Sequence, residues 1–194
     1  MTLATVSTAT ENQARPREQD PHGWYCEPAS TVEALIDAEP LWGPGHDPCC
    51  GRGNIPKTCI AGGLDCTGSD LVDRGYGVVH DFLAPAAWPF AYPVWIMMNP
   101  PFEHAVEFID RAMTVARWEV CALVRLSFLE GKRRKGWFED SPLARVWVSS
   151  SRLSMPPGHL LRQGLVEPKG GAVAFCWLVF EHGHRGPAQI GWLP

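Results

Sequence analysis

Val94-Trp95-Ile96-Met97-Met98-Asn99-Pro100-Pro101-Phe102 joins an apolar run to a stiff polar loop. The apolar run predicts a buried strand. Helical periodicity follows, so the loop falls at a strand's carboxyl end. Two successive prolines restrict the backbone and remove two donors, which leaves the Asn99 amide and the neighbouring carbonyls on display. An amide oxygen and a carbonyl can each accept a hydrogen bond from a planar NH2 group, while an aromatic ring covers the plane that carries it. Asn99, the Pro100 carbonyl and Phe102 thus describe a receptor for an exocyclic amine. Taken alone, the same residues are better read as a proline turn with Phe102 in the core, so the flanking chain decides.

Upstream, Asp47-Pro48-Cys49-Cys50-Gly51-Arg52-Gly53-Asn54-Ile55 runs an acid into a Gly-x-Gly turn, ahead of a helix expected over residues 57–61. Glycines there allow a tight turn and close approach of a ligand to the backbone. Asp70 lies 23 residues beyond Asp47, just past a strand-like stretch at 64–67. Nucleotide-binding sheets place a carboxylate on ribose hydroxyls at a similar distance. A second alternation leads through Tyr76-Gly77-Val78-Val79-His80 into Asp81-Phe82. Any one aspartate is commonly a turn residue. Asp47, Asp70 and Asp81 in successive β-α units, with the Asn99 loop ending a fourth strand, would instead line the ligand-binding edge of a parallel sheet. Gly43-Pro44-Gly45-His46 departs from the apolar run expected before Asp47.

Downstream, Val106, Ile109, Ala112, Met113 and Ala116 recur at helical steps within residues 103–117, and strands are expected at 120–126, 144–149 and 172–180. Towards the N-terminus, Trp24-Tyr25 and Glu27-Pro28 precede Ser30 and Glu33, whose spacing suggests a capping box opening a helix that buries Val32, Leu35 and Ile36. Residues 1–20 carry hardly any large apolar side chain and are expected to form a disordered arm. Repeated β-α units followed by late strands predict an α/β sandwich, as one domain over residues 21–194.

The 194 residues are 45% hydrophobic and 20% charged, the balance of a soluble globular protein. No apolar run approaches a membrane span and residues 1–20 lack a signal-peptide core, so a cytoplasmic location without membrane contact is expected. Seven cysteines without export signals argue for reduced thiols. The spacing of Cys49, Cys50, Cys59 and Cys66 does not pair as zinc ligands do, and no metal is expected. A net charge of −4 leaves nucleic-acid binding to local patches. Lys132-Arg133-Arg134-Lys135 is the best candidate, although such a run also reads as a solvated face. His182 and His184 fall among turn residues and receive no role.

Together the Asn99-Pro100-Pro101-Phe102 loop, the Asp47-Pro48-Cys49-Cys50-Gly51-x-Gly53 turn and Arg125-Leu126-Ser127-Phe128-Leu129-Glu130-Gly131 resemble the N6-adenine DNA methyltransferases, especially the small phage and prophage enzymes. The likeness runs from about Trp24 to the C-terminus, and its specificity lies in the ordered combination. It implies a Rossmann-like class I methyltransferase fold, a three-layer sandwich on a mostly parallel seven-stranded sheet with an antiparallel last strand.

The resemblance further implies S-adenosylmethionine lying across the sheet edge. Pro48, Cys49, Gly51 and Gly53 would face it, with Asp47 near its methionine part, Asp70 on the ribose and Asp81 on the adenine amine beside Phe82. Trp24, Tyr25 and Pro28 would form an N-terminal cofactor motif, and Asn99 would border the cofactor. Asn99, Pro100, Pro101 and Phe102 would be catalytic, acting on an adenine flipped from DNA, duplex or single-stranded. No target-recognition domain is visible, since the 127–143 segment is too short. Recognition would then rest on short loops including residues 132–135, on a partner subunit or on a homodimer. Such enzymes act beside a restriction nuclease or alone. Two alternatives stay open. Similar Asn-Pro-Pro-aromatic loops serve cytosine N4, RNA guanine N2 and protein glutamine. A catalytically silent nucleic-acid-binding subunit would also keep the fold, though the intact Asn99, Phe102 and glycines count against silence.

Overall fold

Runs of apolar residues with no polar alternation need cover on both faces, and three of them form the centre of this molecule's sheet. The computed structural model describes residues 24–158 and 171–194; the arm expected over residues 1–20 lies outside them. The strands are β1 (Gly45–Asp47), β2 (Cys66–Asp70), β3 (Val78–Val79), β4 (Trp95–Met98), β5 (Glu119–Arg125), β6 (Leu143–Ser149), β7 (Phe175–Glu181) and β8 (Gln189–Leu193). Their order is β3-β2-β1-β4-β5-β7-β6-β8. Every pairing is parallel except those of β7, which runs antiparallel to β5 and β6.

Alternate side chains of β4, β5 and β7 feed two cores. Trp95, Met97, Cys121, Leu123, Trp177 and Val179 pack with Val32 and Leu35 of α1 (Ala29–Ala38) and with Ile55 and Cys59 of α2 (Asn54–Ala61). Ile96, Met98, Val120, Ala122, Val124 and Leu178 meet Phe108, Ile109, Ala112 and Val115 of α3 (Ala105–Val115). Trp137 and Phe138 of α4 (Lys132–Asp140) flank this second core. The expected three-layer α/β sandwich is therefore present. The chain proceeds outward from β1 to β2 and β3, then returns to lay β4 on the other side of β1. Connections diverge between β1 and β4, and in open α/β sheets that divergence opens a crevice at the strands' carboxyl ends.

Several local expectations change. The seven expected strands are joined by an eighth, β8, whose outward Ile190 and Trp192 are exposed and gave its five residues no readable period. The antiparallel strand is accordingly β7 rather than the last in the chain. The glycine in place of an apolar residue in β1 is explained by Trp95: its indole lies where a side chain at Gly45 would project, and its Nε1 donates to the Gly43 carbonyl at 3.1 Å. An apolar residue at position 45 would collide with that ring. The Ser30–Glu33 box does not form, because α1 already begins at Ala29 with Pro28 at its N-cap and no side-chain cap bond. Ile36 is only partly buried. No helix among the described residues is long and apolar enough to cross a membrane.

Candidate active site

Asp47 and Asp70 end β1 and β2, and both are buried. The turn between β1 and α2 is tied to them through its backbone. Cys49 N donates to Asp47 Oδ1 at 3.1 Å, Cys50 N to the Ser69 carbonyl at 2.9 Å, and Gly51 N to Asp70 Oδ2 at 2.8 Å. Gly51 and Gly53 both adopt left-handed backbone, with φ of 54° and 80°, a conformation that glycine takes without steric cost. Trp24 packs directly on Gly51, so a side chain there would strike the indole. Arg74 lies 4.8 Å above the Trp24 ring and pairs with Asp70 Oδ1 at 3.6 Å.

Beside this turn, Asn99 follows β4. Its Nδ2 donates to Glu27 Oε2 at 2.9 Å and to the Tyr25 carbonyl at 3.1 Å, while its own carbonyl accepts from the Cys49 thiol at 3.4 Å. Both amide protons are thereby committed. No donor among the described residues engages Asn99 Oδ1 or the Pro100 carbonyl. Pro100 is buried, and the Pro101 carbonyl accepts from His104 N, opening a single 3-10 turn.

Phe102 is neither free nor fully in the core. Tyr25 stacks on it with centroids 5.5 Å apart, and the Arg125 guanidinium lies 4.3 Å over its ring. Phe102, Ala105, Val124, Arg125, Ser127, Phe128 and Arg134 line a cavity of about 150 Å³. Pockets for drug-sized ligands begin at roughly 300 Å³, so this one suits a single ring. A larger cavity of about 700 Å³, lined by Phe138, Leu143, His184 and Pro187 among others, opens at the opposite end of the strands.

Burial dominates the electrostatics at this sheet end. Burial pushes Glu27 up to about 7, against the downward pull of its Asn99 bond. Burial also raises Asp47 well above the usual carboxylate range, with the Glu27 charge adding to it and the Cys49 amide opposing. Among the described residues no Lys, Arg or His forms an ion pair with either acid. Two buried carboxylates without a counter-ion favour either protonation or a cationic ligand. The Cys49 thiol is raised by burial and by Asp47, and Cys50 likewise, so both stay protonated and neither offers a thiolate.

The structure brings Trp24, Tyr25, Asp47, Pro48, Cys49, Gly51, Gly53, Asp70 and Asn99 together at the carboxyl ends of β1, β2 and β4, with Pro28 at the α1 N-cap alongside. Asp81 stands exposed at the same sheet end, its Oδ1 accepting Leu83 N at 3.0 Å. Phe82 is a correction: its ring is 2% exposed and packs on Trp88 and Phe108, so it anchors the loop in the core and presents no face to a ligand. The basic run forms the first turn of α4 and is not uniform. Lys132 and Arg133 are exposed and Lys135 pairs with Glu139. Arg134 instead turns inward, donating to the carbonyls of Phe128 at 2.7 Å and Glu130 at 2.5 Å and lying 4.7 Å over the Phe128 ring. The sequence reading assigned no role to Glu27, which lies 72 positions from Asn99, and named Arg125 only within a motif. A carboxylate before a proline carries no signal of its own, and only the fold makes this contact.

No sequence-family model and no curated protein matches this chain. Solved structures do match its fold. A protein assigned as the modification subunit of a type I restriction enzyme from Vibrio vulnificus YJ016 superposes with a TM-score of 0.56 at 14% identity, over 86% of this chain and 46% of that one. The chain thus spans about half the length of that subunit. A protein assigned as an RNA methyltransferase from Pyrococcus horikoshii gives 0.59 at 12% identity, over 82% and 87%. Magnesium protoporphyrin IX methyltransferase from Synechocystis PCC 6803, solved with S-adenosylmethionine bound, gives 0.50 at 12% identity, over 79% and 78%. Likeness at these identities concerns the fold, which is the Rossmann-like fold of class I methyltransferases with its antiparallel strand near the C-terminus.

Proposed function

We propose that this chain transfers a methyl group from S-adenosylmethionine to the N6 amine of adenine in DNA, with the base turned out of its stack. The anchored Asn99 amide is the chief support. With Nδ2 held by Glu27 and Tyr25, Oδ1 and the Pro100 carbonyl remain as two acceptors on the same loop as Phe102, which lines the small cavity. A ring-conjugated amine is a poor nucleophile because its lone pair is delocalised. Accepting both its hydrogens favours a pyramidal nitrogen, so Asn99 stabilises the transition state more than the ground state. Phe102 supplies an aromatic wall. The Arg125 guanidinium now lies over that ring, and a base stacking on the same face requires Arg125 to swing out.

S-adenosylmethionine supplies a methyl group already activated on a sulfonium. The sheet end suits a ligand of that charge: Glu27 and Asp47 are buried with no cationic partner among the described residues, and the left-handed glycine turn permits backbone approach, while Asp70, bonded to Gly51 N and Val72 N and paired with Arg74, would exchange the Arg74 contact for ribose hydroxyls. Trp24 on Gly51 and Arg74 on Asp70 cover the turn and must shift to admit a ligand on that face. Orientation and electrostatics are then the protein's whole contribution, with no covalent nucleophile.

The test is to incubate the protein with unmethylated DNA and labelled cofactor, then digest and identify the nucleoside. N6-methyladenine is expected. N4-methylcytosine would move the target, and label confined to RNA or protein would overturn the assignment to DNA. Asp70→Ala should weaken cofactor binding by roughly 10- to 100-fold in calorimetry, the worth of a charged hydrogen-bond acceptor, while the rate at saturating cofactor falls far less. Replacing both Lys132 and Arg133 with Ala should lower the slope of log affinity for DNA against log salt by about 2. Arg134→Ala should instead loosen the 126–131 loop and lower the melting temperature, because its donors serve carbonyls.

A further inference from the structure

We infer that Glu27 is a positioning residue for this transfer, its carboxylate holding the Asn99 amide in the one orientation that presents Oδ1 to the incoming amine. The inference rests on the function proposed above. An asparagine amide is nearly symmetrical in shape, and only its partners decide which end faces which way. Here Nδ2 faces two acceptors, Glu27 Oε2 and the Tyr25 carbonyl. A flipped amide would set Oδ1 against a carboxylate and a carbonyl, which repel it. Glu27 is itself held in place: its carbonyl accepts from Asn54 Nδ2 at 3.1 Å, Cys26 N donates to the Pro156 carbonyl, and Gly158 N donates to the Trp24 carbonyl.

The charge on Glu27 acts in the same direction. As the nitrogen–carbon bond forms and the sulfur–carbon bond breaks, the sulfur keeps the bonding pair and leaves as a neutral thioether, and the amine nitrogen becomes positive until it loses a proton to water. An ionised Glu27 accepting from Asn99 draws electron density onto Oδ1, strengthening the acceptor when that positive charge develops. The titratable and charged groups around Glu27 are Asp47 on β1, Cys49 and Cys50 on the turn, and Cys26 on its own segment, with Asp70 acting on Asp47, Cys49 and Cys50 and with Arg52 and Arg74 acting on Cys26. Burial places Glu27 ionisation near 7. Glu27 is protonated below that pH and ionised above it, so kcat/KM should rise through about 7.

Two measurements separate this role from a structural one. In cofactor-free protein, the Asn99 side-chain amide signals, assigned by their loss in Asn99→Ala, should titrate near 7 and should stop doing so in Glu27→Gln. In transfer assays, Glu27→Gln keeps an acceptor and should lose roughly 10-fold in kcat with a flattened pH profile. Glu27→Ala frees the amide and should lose roughly 100-fold at saturating cofactor, in line with the cost of a misplaced catalytic group, with the KM for DNA little changed. Asn99 signals that ignore pH, a titration that survives Glu27→Gln, or full kcat in Glu27→Ala would each overturn the role. If the wild-type chain labels no amine, the proposed function fails instead, and the amide titration still decides whether Glu27 holds Asn99.

Discussion

Asn99→Ala is expected to lower methyl transfer by roughly a thousandfold, about 4 kcal/mol of transition-state stabilisation, while cofactor affinity stays within a few-fold. The asymmetry follows from where Asn99 sits. Glu27, Asp47, Asp70 and the glycine turn form the rest of the crevice, and their backbone bonds do not pass through the Asn99 side chain. What Ala removes is Oδ1, the acceptor proposed to meet the amine, together with the partner of the Glu27 carboxylate. Loss of that partner raises Glu27 further, because its Asn99 bond is what pulls it down. Single-turnover rates with cofactor saturating, beside calorimetric affinity, separate the two effects. Equal losses in both would mean that Asn99 shapes the crevice without acting on the amine.

What was legible in the sequence divides along physical lines. β4, β5 and β7 could be read because their side chains are buried on both faces, and such runs announce themselves locally. β1 was expected only from its place before Asp47, since it owes its glycine to a tryptophan fifty positions away, and β8 was not expected, since it exposes apolar side chains at a sheet edge. α4 escaped because its sequence is mostly charged. Aromatic contacts among Phe128, Trp137 and Phe138 hold it, with a bond from Trp137 Nε1 to Asp110 at 2.8 Å. At the site, Asp47, Asp70 and Asn99 each end a strand, and strand ends follow from topology. Phe82 was assigned beside the cofactor by resemblance alone, whereas Trp88 and Phe108 draw its ring into the core. Glu27 has no local signature at all; its significance lies in burial and in a bond closed by the fold.

Arg145→Met is expected to destabilise the folded chain by about 3–5 kcal/mol at pH 8, the cost of leaving buried charges without their partner. Arg145 holds three carboxylates: Glu39 at 2.7 Å, Glu181 at 2.8 Å and Glu119 at 3.3 Å. Glu39 and Glu119 are almost wholly buried, and Glu39 also accepts from Trp147 Nε1. Burial, with Glu39 adding to it and Arg145 opposing, raises Glu119 from 4.5 to about 7. Because the folded state binds this proton more tightly than the unfolded chain does, the stability that Glu119 contributes is fully present below about 4.5 and is lost as pH rises through about 7. Removing Arg145 raises the folded value further. The defect in Arg145→Met should therefore be largest at pH 8 and shrink near pH 5, where the carboxylates take up protons. Urea unfolding at both pH values measures this, and Arg145→Lys, which keeps the charge but not the three-way fork, should fall between wild type and Met. The cluster joins α1, β5, β6 and β7 at the end of the sheet away from Asn99, so the folded fraction should keep its affinity for cofactor. A pH-independent loss would show that Arg145 stabilises by packing its side chain against Trp147 and its neighbours, with its charge of little account.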